Sequence, residues 1–128
     1  MLKKLLLISI SVLVLSSCQP TINQADLVGK WVYTKYESID KTSENAVNLK
    51  EQKPFIVFKT DGVCEIYSSG KLLSKGNYSL DHQIIRYTEV LDGGIKRKIP
   101  FLVKELKGNQ LIFETMEADV KRITAQKE

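Results

Sequence analysis

Gly29-Lys30-Trp31 carries the only tryptophan of the chain and is the point from which the rest is best read. A glycine lets neighbouring backbone come close, and an indole near the start of a first strand brings enough aromatic surface to plug one end of a β-barrel. From Leu27 onward apolar and polar residues alternate and turns recur at short intervals, which suits strands far better than helices. Eight strands are expected: Leu27 to Ser38, Pro54 to Lys59, Val63 to Tyr67, Lys71 to Leu80, Ile84 to Leu91, Gly94 to Leu106, Gln110 to Met116 and Ala118 to Ala125. Asp61-Gly62, Ser68-Ser69-Gly70, Asp81-His82, Asp92-Gly93 and Lys107-Gly108-Asn109 supply the turn chemistry between them. Short turns imply consecutive antiparallel neighbours. The expected fold is therefore all-β, an eight-stranded antiparallel up-and-down barrel. Closing the last strand against the strand of Trp31 removes the two unpaired edges that an open meander would leave.

Side-chain pairing sets the expected register. With Thr60-Asp61-Gly62 as a three-residue loop, Phe58 faces Cys64 and Ile56 faces Ile66, whereas a two-residue loop would set Phe58 against Glu65. Asp92-Gly93 as a two-residue turn places Val90 opposite Ile95 on one face and Glu89 opposite Lys96 on the other. A tight turn at Glu117-Ala118 aligns Phe113 with Arg122 inside and Glu114 with Lys121 outside. The inward set is then Ile56, Phe58, Cys64, Ile66, Leu72, Tyr78, Leu80, Ile84, Val90, Ile95, Ile99, Phe101, Val103, Leu111, Phe113 and Val120. Pro100 has no N–H for the ladder and implies a bulge or a break midway along the sixth strand.

The 128 residues suffice for one domain and not for two. Lys and Arg number 19 against 15 Asp and Glu, and Lys3 and Lys4 account for two of the 19, so the excess beyond the leader is too small and too dispersed to argue for nucleic acid. Those two lysines form a positive n-region, and Leu5 to Leu15 is an apolar run well short of the roughly 20 residues of a spanning helix. Leu15-Ser16-Ser17-Cys18 then resembles the lipobox of bacterial lipoproteins, in which an aliphatic residue and two small ones precede the cysteine that receives diacylglycerol. The resemblance implies a signal peptide over residues 1–17 and Cys18 as the lipidated first residue, attached to a membrane by acyl chains worth about 0.8 kcal/mol per buried CH₂. Gln19 after the cysteine implies, by the same family rules, an outer-membrane anchor, here facing the periplasm. The plainer alternative is an ordinary signal peptide followed by a chance cysteine. Residues 18–26 are polar, contain Pro20 and read as a tether, which leaves residues 27–128 for the barrel.

Leu27-Val28-Gly29-Lys30-Trp31, Phe58-Lys59-Thr60-Asp61-Gly62, Gly76-Asn77-Tyr78-Ser79-Leu80 and an Arg-bearing last strand together resemble the lipocalin-like lipoproteins of the calycin group. The resemblance implies a barrel that carries a small hydrophobic ligand. It also implies a basic residue packed on the tryptophan from near the end of the barrel, for which Arg122 is the matching candidate and Lys121 the alternative. The chain is shorter than secreted lipocalins and lacks their disulfide.

Two function classes follow. In the first, Arg86 and Arg97 with Tyr78 and Thr88 hold the head group of a fatty acid or other acidic amphiphile, with Phe58, Ile84 and Phe101 along its tail. The blander account places those arginines at strand ends, where they reach solvent. The long connection Asp40 to Lys53, with Ala46, Val47 and Leu49 as an apolar edge, is either a lid over the barrel or a polar loop. In the second class the barrel is filled with side chains and the protein acts on another protein through its outer surface, without catalysis. His82 is the single histidine and lies in a turn, and neither a histidine-rich metal site nor a Cys-x-x-Cys pair is available, so neither an enzyme nor a cofactor is expected. Once Cys18 carries lipid, Cys64 is the sole thiol and reads as a small buried hydrophobe.

Overall fold

The computed structural model describes residues 21–40 and 47–128. After a short helix, α1 (Gln24–Leu27), come β1 (Gly29–Ser38), a second short helix α2 (Leu49–Gln52), and then β2 (Phe55–Phe58), β3 (Val63–Ser68), β4 (Lys71–Asp81), β5 (Ile84–Val90), β6 (Lys96–Lys107), β7 (Gln110–Thr115) and β8 (Lys121–Lys127). The eight strands form a closed antiparallel barrel in sequence order. Closure runs along β1 and β8, from Trp31 opposite Lys127 to Ser38 opposite Lys121, with a bulge between Tyr33 and Lys35. β2 covers only the first four residues of β1, so the other end of β1 leaves an opening beside the connection that carries α2.

The two ends are built differently. At one end Trp31, Ile56, Phe58, Cys64, Ile85, Leu111 and Ala125 are almost wholly removed from water. α1 closes this floor from beneath. Leu27 is fully buried, its carbonyl accepts a 2.7 Å bond from the Trp31 indole N–H, and Ile22 N–H donates to the His82 carbonyl. Within the stretch whose polar composition reads as a tether, Ile22 and α1 thus pack beneath the barrel; Asn23 caps the helical turn through its side chain. Gly29 has φ 141°, and a Cβ there would meet the Lys127 side chain at 2.7 Å, so its close neighbour is a side chain and not backbone. The tight backbone approach falls at Gly76, where a Cβ would stand 1.9 Å from the Thr88 carbonyl oxygen.

The expected β2–β3 register holds: Phe58 pairs with Cys64, Ile56 with Ile66, and Gly62 is left-handed at φ 83°. Two other hairpins differ by one residue. Between β5 and β6 the loop is Asp92-Gly93-Gly94, with both glycines left-handed, and Leu91 N–H bonds the Ile95 carbonyl. Glu89 therefore pairs with Arg97 and Val90 with Lys96. Because side chains alternate along a strand, this slip reverses β5: Ile85, Tyr87 and Glu89 face inward, while Ile84, Arg86, Thr88 and Val90 face outward, and Ile95 is exposed. Between β7 and β8 the connection is longer than a tight turn at Glu117-Ala118. It sets Phe113 opposite Ile123 and Glu114 opposite Arg122, so Ile123 and Ala125 enter the core, Arg122 leaves it, and Val120 lies outside β8. A register shift at the β3–β4 turn pairs Leu72 with Tyr67 and turns it outward.

Pro100 introduces no bulge. It stays in register with Arg86 of β5, and its carbonyl accepts from Met116 N–H just past the end of β7, so the missing N–H is on the side where pairing stops. The irregularity of β6 lies further on, between Val103 and Glu105.

Candidate functional site

Opposite the floor the barrel holds a cavity of about 560 Å³. Its wall is mainly apolar and aromatic: Tyr33 and Tyr36 from β1, Ile66 from β3, Ile99 and Phe101 from β6, Phe113 from β7 and Ile123 from β8. Phe101 stacks on Tyr87 at 6.1 Å and meets Phe113 edge-on at 5.1 Å, which fixes the base of the cavity. Val47, Gln52 and Pro54 from the connection carrying α2 stand at the rim. Ala46 lies outside the described residues, and Leu49 lines a separate, outer groove with Val32 and Phe55.

One wall is polar. The Tyr87 hydroxyl is 2.6 Å from Ser74 Oγ, and Ser74 Oγ in turn donates to Glu89 Oε2. Glu89 Oε1 lies 3.2 Å from Arg97 Nη2 without accepting a hydrogen bond from any described residue. Glu89 is buried, whereas the Arg97 side chain is 64% exposed, so the carboxylate sits in the wall and the guanidinium at the mouth. Burial pushes the Tyr87 hydroxyl up to about 12, opposed by its bond to Ser74, and raises Tyr33 further still. Both rings are neutral donors at any physiological pH.

The expected ligand residues divide into three groups. Arg97 and Phe101 line the cavity. Phe58 and Tyr78 belong to the packed floor, where they meet edge to face at 5.2 Å and the Tyr78 hydroxyl donates to the Lys59 carbonyl. Ile84, Arg86 and Thr88 are on the outer face through the reversal of β5, and Arg86 is held by two bonds to Asp81 of 2.8 and 3.0 Å. A head-group site made of Arg86 and Arg97 together does not exist. Glu89, Tyr33 and Tyr36 were missing from the expected site. The signal for Glu89 was the second glycine in Asp92-Gly93-Gly94, which makes a three-residue loop as accessible as a two-residue one.

The cation on the tryptophan is also different. Lys127 Nζ stands 5.5 Å from the Trp31 ring, while Arg122 pairs with Glu114 at 2.9 Å on the outside and Lys121 contacts Ser38 and Asp119 at the other end of β8. Cys64 is buried and its thiol is pushed up by burial, which makes it a packing residue and a poor nucleophile. His82 is exposed in its turn, 2.8 Å from Asp81, whose carboxyl is held below its ordinary range by bonds from Arg86 and then His82. Among the described residues no group of three His, Cys, Asp or Glu side chains is placed to hold a metal ion. Cys18 lies outside the described residues.

These features define an eight-stranded antiparallel up-and-down barrel, sealed at one end and hollow at the other, consistent with a calycin-like fold. No family model, no curated protein and no solved structure matches the chain.

Proposed function

We propose that this is a lipid-anchored, non-catalytic carrier of the bacterial envelope that holds one small hydrophobic or amphiphilic molecule in the open end of its barrel. The observation that carries the reading is the cavity of about 560 Å³ lined by Tyr33, Ile99, Phe101, Phe113 and Ile123, within the size range of small-molecule sites and lined as they are. Eight strands leave an interior that either fills with side chains or has room for one small ligand, and here the floor is filled while the mouth stays hollow. The leader and Leu15-Ser16-Ser17-Cys18 support acylation at Cys18 and an outer-membrane location on the periplasmic side. Cavity chemistry favours a largely apolar guest over a fatty-acid carboxylate, because Arg97 already faces Glu89 and Arg86 is outside.

Native mass spectrometry of the whole protein, extracted from its host membrane in mild detergent, tests this. A small-molecule adduct is expected on the wild type and diminished in Ile123→Trp, whose added bulk projects into the cavity; unchanged circular dichroism controls for the fold of the variant. An empty wild-type protein that also fails to take up apolar fluorescent probes overturns the carrier reading. The outer-surface interaction module then takes its place.

A further inference from the structure

Seven large apolar side chains are exposed among the described residues, and all seven lie at the open end of the barrel. Ile39 and Met116 follow the ends of β1 and β7. The other five, Leu72, Leu73, Val90, Leu91 and Ile95, gather at one corner where the start of β4, the end of β5 and the β5–β6 turn meet. Leu73 and Ile95 are 65% and 64% exposed, far more than packing within the chain would leave.

The exposed charges around this corner are mostly positive. Lys71, Lys75, Lys96 and Lys98 are exposed, and none of them forms an ion pair with a described residue. Asp92 is the single exposed acid in the β5–β6 turn; Glu89 is buried against Arg97, and Glu65, opposite Lys75, is matched by Lys59 at 2.6 Å. Apolar tips ringed by unpaired lysines match a surface with an apolar interior and an anionic face.

We propose that this corner of the rim docks on an anionic lipid bilayer, with Leu91 and Ile95 entering the acyl-chain boundary and Lys96 and Lys98 at the level of the head groups. Leu73 and Arg97 belong both to this corner and to the wall of the cavity, so docking sets the mouth against the bilayer. The docking surface goes beyond the carrier reading and stands whether or not the cavity holds a ligand.

Site-specific quenching tests it in the full chain, because attachment through the N-terminal segment is common to every variant and does not bring position 95 to the bilayer. An indole is introduced by Ile95→Trp, by Leu91→Trp, or in the sealed-end turn by Lys107→Trp, with buried Trp31 as constant background. Vesicles of phosphatidylglycerol and phosphatidylcholine carry brominated acyl chains. Quenching at positions 95 and 91 is expected on anionic vesicles and lost on pure phosphatidylcholine, whereas any quenching at 107, on the side of the N-terminal attachment, is the same on both lipids. Adding Lys96→Gln and Lys98→Gln lowers the apparent affinity on the order of twenty-fold, about five-fold for each lysine removed. An indole at 95 and 91 that stays unquenched on anionic vesicles overturns the proposal. So does equal quenching on neutral and anionic vesicles, and a protein partner is then the occupant of the rim.

Discussion

The floor and the mouth of this barrel are made from the same strands and obey opposite rules. At the floor, indole, phenyl and aliphatic side chains interdigitate with almost no exposure, and the indole N–H and the Tyr78 hydroxyl both find backbone carbonyls. At the mouth an aromatic-lined hollow remains, a buried carboxylate oxygen accepts no hydrogen bond from a described residue, and apolar side chains project into solvent. A short barrel can therefore keep packing and lining apart along its axis, since every strand but β2 contributes packing at one end and lining at the other.

The largest expected effect separates the two ends directly. Trp31→Ala removes the biggest fully buried side chain and should cost about 3–5 kcal/mol, whereas Ile99→Ala, which already borders open volume, should cost less than about 2 kcal/mol. Urea midpoints measure both. Equal losses would mean that the mouth is packed as tightly as the floor.

Next comes alkaline pH. Burial pushes the Tyr87 hydroxyl in the folded barrel up from an ordinary 10 to about 12, and raises Tyr33 for the same reason. Above pH 10 the unfolded chain releases these protons first. Their contribution to stability is therefore whole below pH 10 and is lost as the pH climbs through 12. The phenolate absorbance of these two rings should appear together with loss of the β-sheet circular dichroism signal. Phenolates that form while the barrel persists would show that water enters through the mouth to reach them.

Smallest is the choice of cation at the seal. Lys127→Gln should cost about 0.5–1 kcal/mol through the Trp31 ring, and Arg122→Gln, which breaks a surface pair with Glu114, no more than about 0.5 kcal/mol. A larger loss at Arg122 would reverse the assignment.

The strand count, their order, the closure of the first strand on the last and the burial of Trp31 were all legible in the alternation and the turns. These depend on local patterns that a one-residue error does not change. The site was less legible, because a single residue of loop length decides which face of a strand looks inward. Thr60-Asp61-Gly62 offered one attractive pairing, and the register of Phe58 and Cys64 followed. Asp92-Gly93-Gly94 offered two, and the pairing of Val90 with Ile95 looked better in isolation than placing Glu89 beside Arg97 within the wall. Both hydrophobes are outside, at the rim, where local pairing rules give no hint of an exposed apolar corner. The same slip in β7–β8 exchanged Arg122 for Ile123, and with it moved the tryptophan's cation to Lys127 near the chain's end.

Thr21 begins the described chain beneath the floor, next to Ile22 bonded at His82, and the last residues return there, with Lys127 and Glu128 bonded to Asn109 and Lys30. Both handles of the molecule are thus on its underside. Whatever joins the barrel next to Thr21 or Glu128 therefore meets it from the sealed side and leaves the rim free for a second surface.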